Sequence, residues 1–242
     1  MPIEVAYAPG AALNPRPDAA AATIRGVAAQ VRRQVPREED SLALTLRSLI
    51  DACRAVEVNG QALAVSWELG RALRDEFGQP VLGLCDIDAH EPGWAYLAVN
   101  GPMTAHRPDL ALSTAAHELG HLLFDVPAAL ARGEQRYHAV ASSPQALERA
   151  GRGAEARANE FMGALLAPPV PLHTRLLAYA RSEGLRLTRG PHQGRPACPI
   201  VAAGNPHEVV AGVLAALAGD FGVSERFIAV RLSRYGLLEG EV

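Results

Sequence analysis

Residues 113 to 125 read STAAHELGHLLFD, with His117 and His121 four apart and Glu118 directly after the first. The surrounding apolar residues suit a helix entering a core. On such a helix, residues four apart stand one turn above each other on the same face, so the two imidazoles can converge on one ion. Glu118 projects about a third of a turn to the side, where it can take a proton from an attacking water without itself binding metal. Gly120 lies between the histidines and costs roughly 1 kcal/mol of helix propensity relative to alanine. A helix tolerates that penalty where another backbone must approach closely.

The H-E-x-x-H spacing is that of zinc peptidases, and a catalytic zinc wants a third protein ligand. The metzincin solution needs Gly and His where this chain has Phe124 and Pro127, so it is excluded. A glutamate on a separate helix is the other common solution, and the downstream candidates are Glu134, Glu148, Glu155 and Glu160. Glu155 is the best placed of these. It stands in EARAN, with Asn159 one turn later on the same face and Ala158, Phe161 and Leu165 on the opposite, buried face. Asn159 can then accept from the far N–H of a ligating histidine and fix its orientation. A carboxylate at that position also complements a helix N-terminus whatever its function.

The rest of the composition sets bounds. The chain has 242 residues, is 49% hydrophobic with only 5% aromatic residues, and has a formal net charge of -3. This suits a globular protein with a core of Leu, Val and Ala, and gives no general attraction to nucleic acid or anionic lipid. Cys53, Cys85 and Cys198 are odd in number and lack C-x-x-C spacing, which points to a reducing compartment. The N-terminus has no basic start followed by an apolar run, and the longest apolar run, residues 209 to 219, is too short to span a bilayer. The expected location is the cytoplasm.

Residues 1–40 are rich in Ala, Pro and Arg and are expected to form a flexible arm, with one helix carrying Ile24, Val27, Val31 and Val35. A metallopeptidase core is expected over 41–184, an irregular Gly- and Pro-rich insertion over 185–207, and a C-terminal helical pair over 208–242 packed on the core. Within the core, helical spacing predicts helices from Leu42 to Val56, ended by Asn59-Gly60, and over QALAVSWELGRALRDEF (61–77). Two strands are expected in PVLGLCDID (80–88) and WAYLAVNG (94–101). Asp109 is expected to cap the H-E-x-x-H helix, and a long surface loop is expected from Pro127 through 145. A further helix is expected over GAEARANEFMGALLA, halted by Pro168-Pro169.

Three stretches resemble the ImmA/IrrE-type metallopeptidases of bacteria, mobile elements and phages, in outline over residues 60–238. LAVNGPMTAHRPDLALSTAAHELGHLLFD is similar to that family's segment leading into AHELGH. EARANEFMGALLAP resembles its E-x-x-A-N-x-F-x-x-x-L-L-x-P signature, and LAGDFGVSERFIAVRLSRYGLL resembles its C-terminal tail. The resemblance implies an α+β, zincin-like fold, mostly helical, with a small sheet of about three strands packed on the H-E-x-x-H helix. It implies one zinc ion held by His117, His121 and Glu155, and a catalytic base at Glu118. It also implies proteolysis of a helix-turn-helix repressor to relieve repression. The amino-terminal helix-turn-helix of some members is not evident before residue 41, and the segments 126–150 and 185–207 have no matched counterpart, so substrate choice is placed there.

A peptidase also needs a donor for the tetrahedral oxyanion. Tyr137, His138 and His173 are the unranked candidates. Other readings remain open. The C-terminal helices have the outline of a helix-turn-helix, but Arg226, Arg231 and Arg234 beside Glu225 make a weak basic footprint, and the same helices equally complete a core through Val213, Leu217, Phe221, Ile228 and Leu232. Arg175, Arg181, Arg186, Arg189 and Arg195 are either a basic partner surface or a solvated face. The chain can also be read as a zinc-bound interaction protein without turnover.

Overall fold

The computed structural model describes residues 1–12, 17–87, 91, 93–132, 134, 137–140, 149–192 and 194–239, with the side chains of 17–19, 137, 140 and 149–151 left aside. The chain is mixed α/β and about half helical, and divides into two compact units. The first comprises Met1–Arg37 and Thr45–Leu165, the second Glu38–Leu44 and Leu166–Val242. No described helix is long and apolar enough to cross a membrane.

The first unit contains β1 (Ile3–Val5), α1 (Pro9–Ala12), α2 (Pro17–Gln34), α3 (Leu46–Ala52), β2 (Ala55–Val58), β3 (Gln61–Glu68), β4 (Gly83–Ile87), β5 (Trp94–Val99), α4 (Gly101–Thr104), α5 (Pro108–Ala131), β6 (Tyr137–Val140) and α6 (Arg149–Leu166). Among the described residues its sheet has six strands in the order β1-β2-β3-β5-β4-β6, twice the expected number. The β1/β2 and β3/β5 pairs are parallel and the others antiparallel.

Two of the unexpected strands lie in segments that sequence periodicity misplaces. The first is the N-terminal stretch expected as an arm. Ile3 and Val5 are buried where β1 pairs with Val56 and Val58, and Ile24, Val27, Ala28 and Val31 of α2 are buried as well. The side chain of Gln34 accepts from Glu4 N and donates to Glu4 O, and Gln30 makes the same paired contact with Ala6, so side-chain amides pin α2 to β1. The second segment is 61–77, where β3 replaces the expected helix. Leu63 and Val65 alternate inward against β2 and β5, and this pairing outweighs the helical preference of the alanines. Asn59 and Gly60, at φ of 52° and 84°, form the two-residue turn of the β2–β3 hairpin, so they do not end a helix. The helix before them is correspondingly short and begins at a Thr45–Ser48 capping box.

The strands expected in 80–88 and 94–101 are present as β4 and β5, and α5 packs against both. Pro108 opens α5 and Asp109 lies in its first turn, but no side chain caps the helix; Asp109 pairs with Arg107 instead. The helix also runs through Pro127 to Ala131, where a loop was expected, and β6 then pairs with β4. Gly120 answers to α6: a Cβ at that position would stand 2.9 Å from the Cα of Ala158. The close backbone approach that would justify a mid-helix glycine is therefore present.

The second unit contains α7 (Pro169–Ser182), β7 (Leu187–His192), β8 (Arg195–Val201), α8 (His207–Phe221) and α9 (Glu225–Arg234). The expected irregular insertion is the β7–β8 hairpin. It accommodates Pro191, Pro196 and Pro199 because each strand of a two-stranded ladder has a free edge where a missing N–H is harmless. The expected C-terminal pair is present as α8 and α9, joined at Gly222 in the left-handed conformation, with Ser224 accepting from Phe227 N. Both helices belong to this unit's own core, with Val213, Leu217, Phe221, Ile228 and Leu232 buried beside Leu172 and Leu176.

Candidate metal centre

Two neighbouring helices of the first unit build the site. On α5, His117 and His121 lie one turn apart with their Nε2 atoms 3.1 Å from each other. On α6, the Glu155 carboxylate meets both rings, with Oε2 3.3 Å from His117 Nε2 and Oε1 3.3 Å from His121 Nε2. Donors held at zinc distances in a tetrahedron stand roughly 3.3 Å apart, so the three side chains already have the spacing an ion would impose. Among the described residues these three are the group able to hold a metal ion.

The other candidates for third ligand are elsewhere. Glu134 is exposed and paired with Arg132, Glu160 is paired with Arg25 at 2.6 Å, and Glu148 lies outside the described residues.

Glu118 is 0% exposed, and neither carboxylate oxygen has a hydrogen-bond partner among the described residues. Burial pushes its carboxyl up to about 8, with the nearby Glu155 charge adding to the rise and His121 opposing it. Space for the side chain comes from Gly83 on β4. A Cβ there would lie 2.8 Å from Glu118 Cδ and 2.7 Å from Thr114 Cγ2. A strand position without a side chain thus lets the carboxylate lie flat against the sheet.

The far nitrogen of His121 is held by Asp125, the role that Asn159 was expected to play for a ligating histidine. Asp125 Oδ2 lies 2.8 Å from His121 Nδ1, and Arg157 donates to Asp125 Oδ1 from Nε at 3.1 Å and from Nη2. Asn159, half-buried on α6, makes no side-chain hydrogen bond among the described residues. Burial opposes charge on Asp125 and on His121, but their mutual hydrogen bond and the Arg157 charge hold the Asp125 carboxyl below its ordinary range. The Asp125 and Glu155 contacts push His121 up to about 9. Burial likewise opposes the Glu155 charge, and the two imidazoles overcome it, drawing Glu155 down to about 2.

Asp125 and Arg157 were absent from the sequence reading. Asp125 continues the four-residue spacing of His117 and His121, so its place on the same helix face was legible. Arg157 carries no such signal, since its partner is on another helix.

Of the oxyanion candidates, Tyr137 lies on β6 opposite Ile87, with its side chain outside the described set. His138 is exposed and faces Asp86 across the β4–β6 pair at 3.7 Å. His173 belongs to the second unit, where its Nε2 lies 2.7 Å from the Pro199 carbonyl and its ring packs on His192. His138 makes no contact with His117, His121 or Glu155 among the described residues.

Four of the basic residues outside the site make internal contacts. Arg231 of the would-be recognition helix is buried and donates to the Tyr235 hydroxyl. Arg175 pairs with Asp220, while Arg186 and Arg189 donate to backbone carbonyls of the β7–β8 region. Comparison with models of protein families and with curated proteins gives no match to this chain.

Proposed function

We propose that this chain is a zinc-dependent endopeptidase of zincin-like build that hydrolyses a peptide bond in a partner protein. The observation that carries the reading is the convergence of His117, His121 and Glu155 at zinc-compatible spacing beside a fully buried Glu118 with no hydrogen-bond partner among the described residues. Two imidazoles and one carboxylate are the donor set of catalytic rather than structural zinc, which keeps a fourth position for water or substrate. Zinc bound there would polarise the scissile carbonyl and make water a competent nucleophile near neutral pH.

The chain's own residues supply the proton transfers. Glu118 takes a proton from the attacking water as its oxygen bonds to the carbonyl carbon, and returns that proton to the amine nitrogen as the C–N bond breaks. Desolvation strengthens Glu118 as a base, and Gly83 lets it lie beside the ligands. Asp125 and Glu155 keep the imidazoles turned towards one point.

The substrate class rests on the three ordered stretches that resemble ImmA/IrrE-type metallopeptidases. They favour a helix-turn-helix repressor, cleaved to relieve repression in the cytoplasm. The test is to purify the full chain, measure its metal content, and incubate it with a helix-turn-helix regulator encoded beside it. One zinc per chain and a discrete cut are expected. Glu118→Gln is expected to retain the zinc and the partner while cleavage falls by at least about 100-fold. An intact regulator under every condition, with zinc and partner both bound, would favour an interaction protein without turnover. Unaltered regulation by His117→Ala in cells would overturn the peptidase reading.

A further inference from the structure

Asp125 is 5% exposed, and both of its oxygens are engaged. Oδ2 meets His121 Nδ1 at 2.8 Å, while Oδ1 accepts from Arg157 Nε and Nη2. Arg157 stands two residues after Glu155 on α6. A guanidinium can only donate, and a carboxylate paired with it can only accept. Asp125 therefore calls for a proton on His121 Nδ1, and Nε2 is the nitrogen turned to the cluster, 3.1 Å from His117 Nε2 and 3.3 Å from Glu155 Oε1. The same two side chains bridge α5 and α6 next to the place where Gly120 lets the backbones touch. One turn of α6 thus supplies a candidate ligand and locks the orientation of the ligand opposite it.

We propose that Asp125 and Arg157 act as a positioning pair for the metal centre, an inference that rests on the metal-site reading above. Asp125 holds His121 in the ligating tautomer. Arg157 fixes the Asp125 carboxylate and, through it, the register of α6 that brings Glu155 to the ion. Arg157 acts through Asp125, so the two contributions are not independent.

The test measures zinc affinity of the full-length protein by chelator competition, with folding monitored by circular dichroism. Asp125→Ala is expected to weaken zinc binding by about 10- to 100-fold, the usual effect of removing a partner behind a ligating histidine. Asp125→Asn is expected to lose less, because its amide oxygen still accepts from Nδ1–H. Arg157→Met is expected to fall between wild type and Asp125→Ala, and to add nothing when combined with Asp125→Ala. Should Asp125→Ala fail to fold, Asp125→Asn and Arg157→Lys carry the comparison.

Nitrogen-15 spectra of the zinc-loaded protein supply a readout that a merely structural role would not move. They are expected to show the His121 Nδ1–H proton held in a hydrogen bond in wild type and broadened by exchange with water in Asp125→Ala. Variants that lose thermal stability yet bind zinc as wild type does would overturn the positioning role, as would additive losses in the double variant. Wild-type protein that takes up no zinc would overturn the metal-site reading itself, and this inference with it.

Discussion

A buried carboxylate without a hydrogen-bond partner lowers stability, so Glu118, at 0% exposure with no such partner among the described residues, argues for a use other than packing. Relative to the free side chain, its proton affinity is raised by burial, to about 8 against an ordinary 4.5. In the metal-free protein a raised carboxyl contributes stability fully below about pH 4.5 and loses it as pH rises through 8. Thermal unfolding of metal-free wild type is therefore expected to move to lower temperature across that window, and Glu118→Gln to flatten the slope, as calorimetry at a series of pH values would record. A slope unchanged by Glu118→Gln would assign the pH dependence to other groups.

Gly83 gives a second test at this scale. Its missing Cβ leaves room for Glu118 Cδ, which a methyl would approach to 2.8 Å. Gly83→Ala is expected to displace the base and cut turnover on the order of 100-fold, with zinc content unchanged by elemental analysis. Full activity in Gly83→Ala would mean that the observed carboxylate position is not the working one.

Between helices, the meeting of Gly120 and Ala158 fixes the distance that brings Glu155 to the histidines. Gly120→Ala gains roughly 1 kcal/mol of helix propensity but drives a methyl to within 2.9 Å of a backbone atom that cannot rotate away. Overpacking of that kind costs about 1–3 kcal/mol, so a net loss of stability in urea and weaker zinc binding are expected together. Gly26 on α2 is the control. Nothing lies within 4 Å of its missing Cβ, so Gly26→Ala is expected to stabilise by about 0.5–1 kcal/mol. Equal effects at both positions would show that the helix contact does not set the site.

The same contrast explains how far the elements could be read from sequence. The α5 face, the α6 face and the β4 and β5 strands were legible because each buries a regular stripe. The β2–β3 hairpin was misread because Asn-Gly serves both a helix end and a type I′ turn, and the alanines of 61–73 suit either period. In β1, Ile3 and Val5 form too short an alternation to register without the parallel partner 53 residues away that buries them.

At the scale of the whole molecule, an ion held by His117, His121 and Glu155 would tie two distant segments of the first unit, α5 at 108–131 and α6 at 149–166. Zinc that binds the folded chain and not the unfolded one adds RT ln(1 + [Zn]/Kd), about 4 kcal/mol at a thousand times Kd. For a unit of this size each kcal/mol raises the midpoint by roughly 2–4 °C, so chelation is expected to lower it by on the order of 10 °C. The location of the effect is more informative than its size. Hydrogen exchange with and without zinc is expected to show the largest gain in protection in the His117–Asp125 turns of α5 and the Glu155–Asn159 turn of α6, because opening either segment releases the ion. A gain centred on the β7–β8 hairpin, where His192 and Cys198 lie, would place the metal in the second unit. It would leave the H-E-x-x-H helix as a packing element whose histidines happen to share a face.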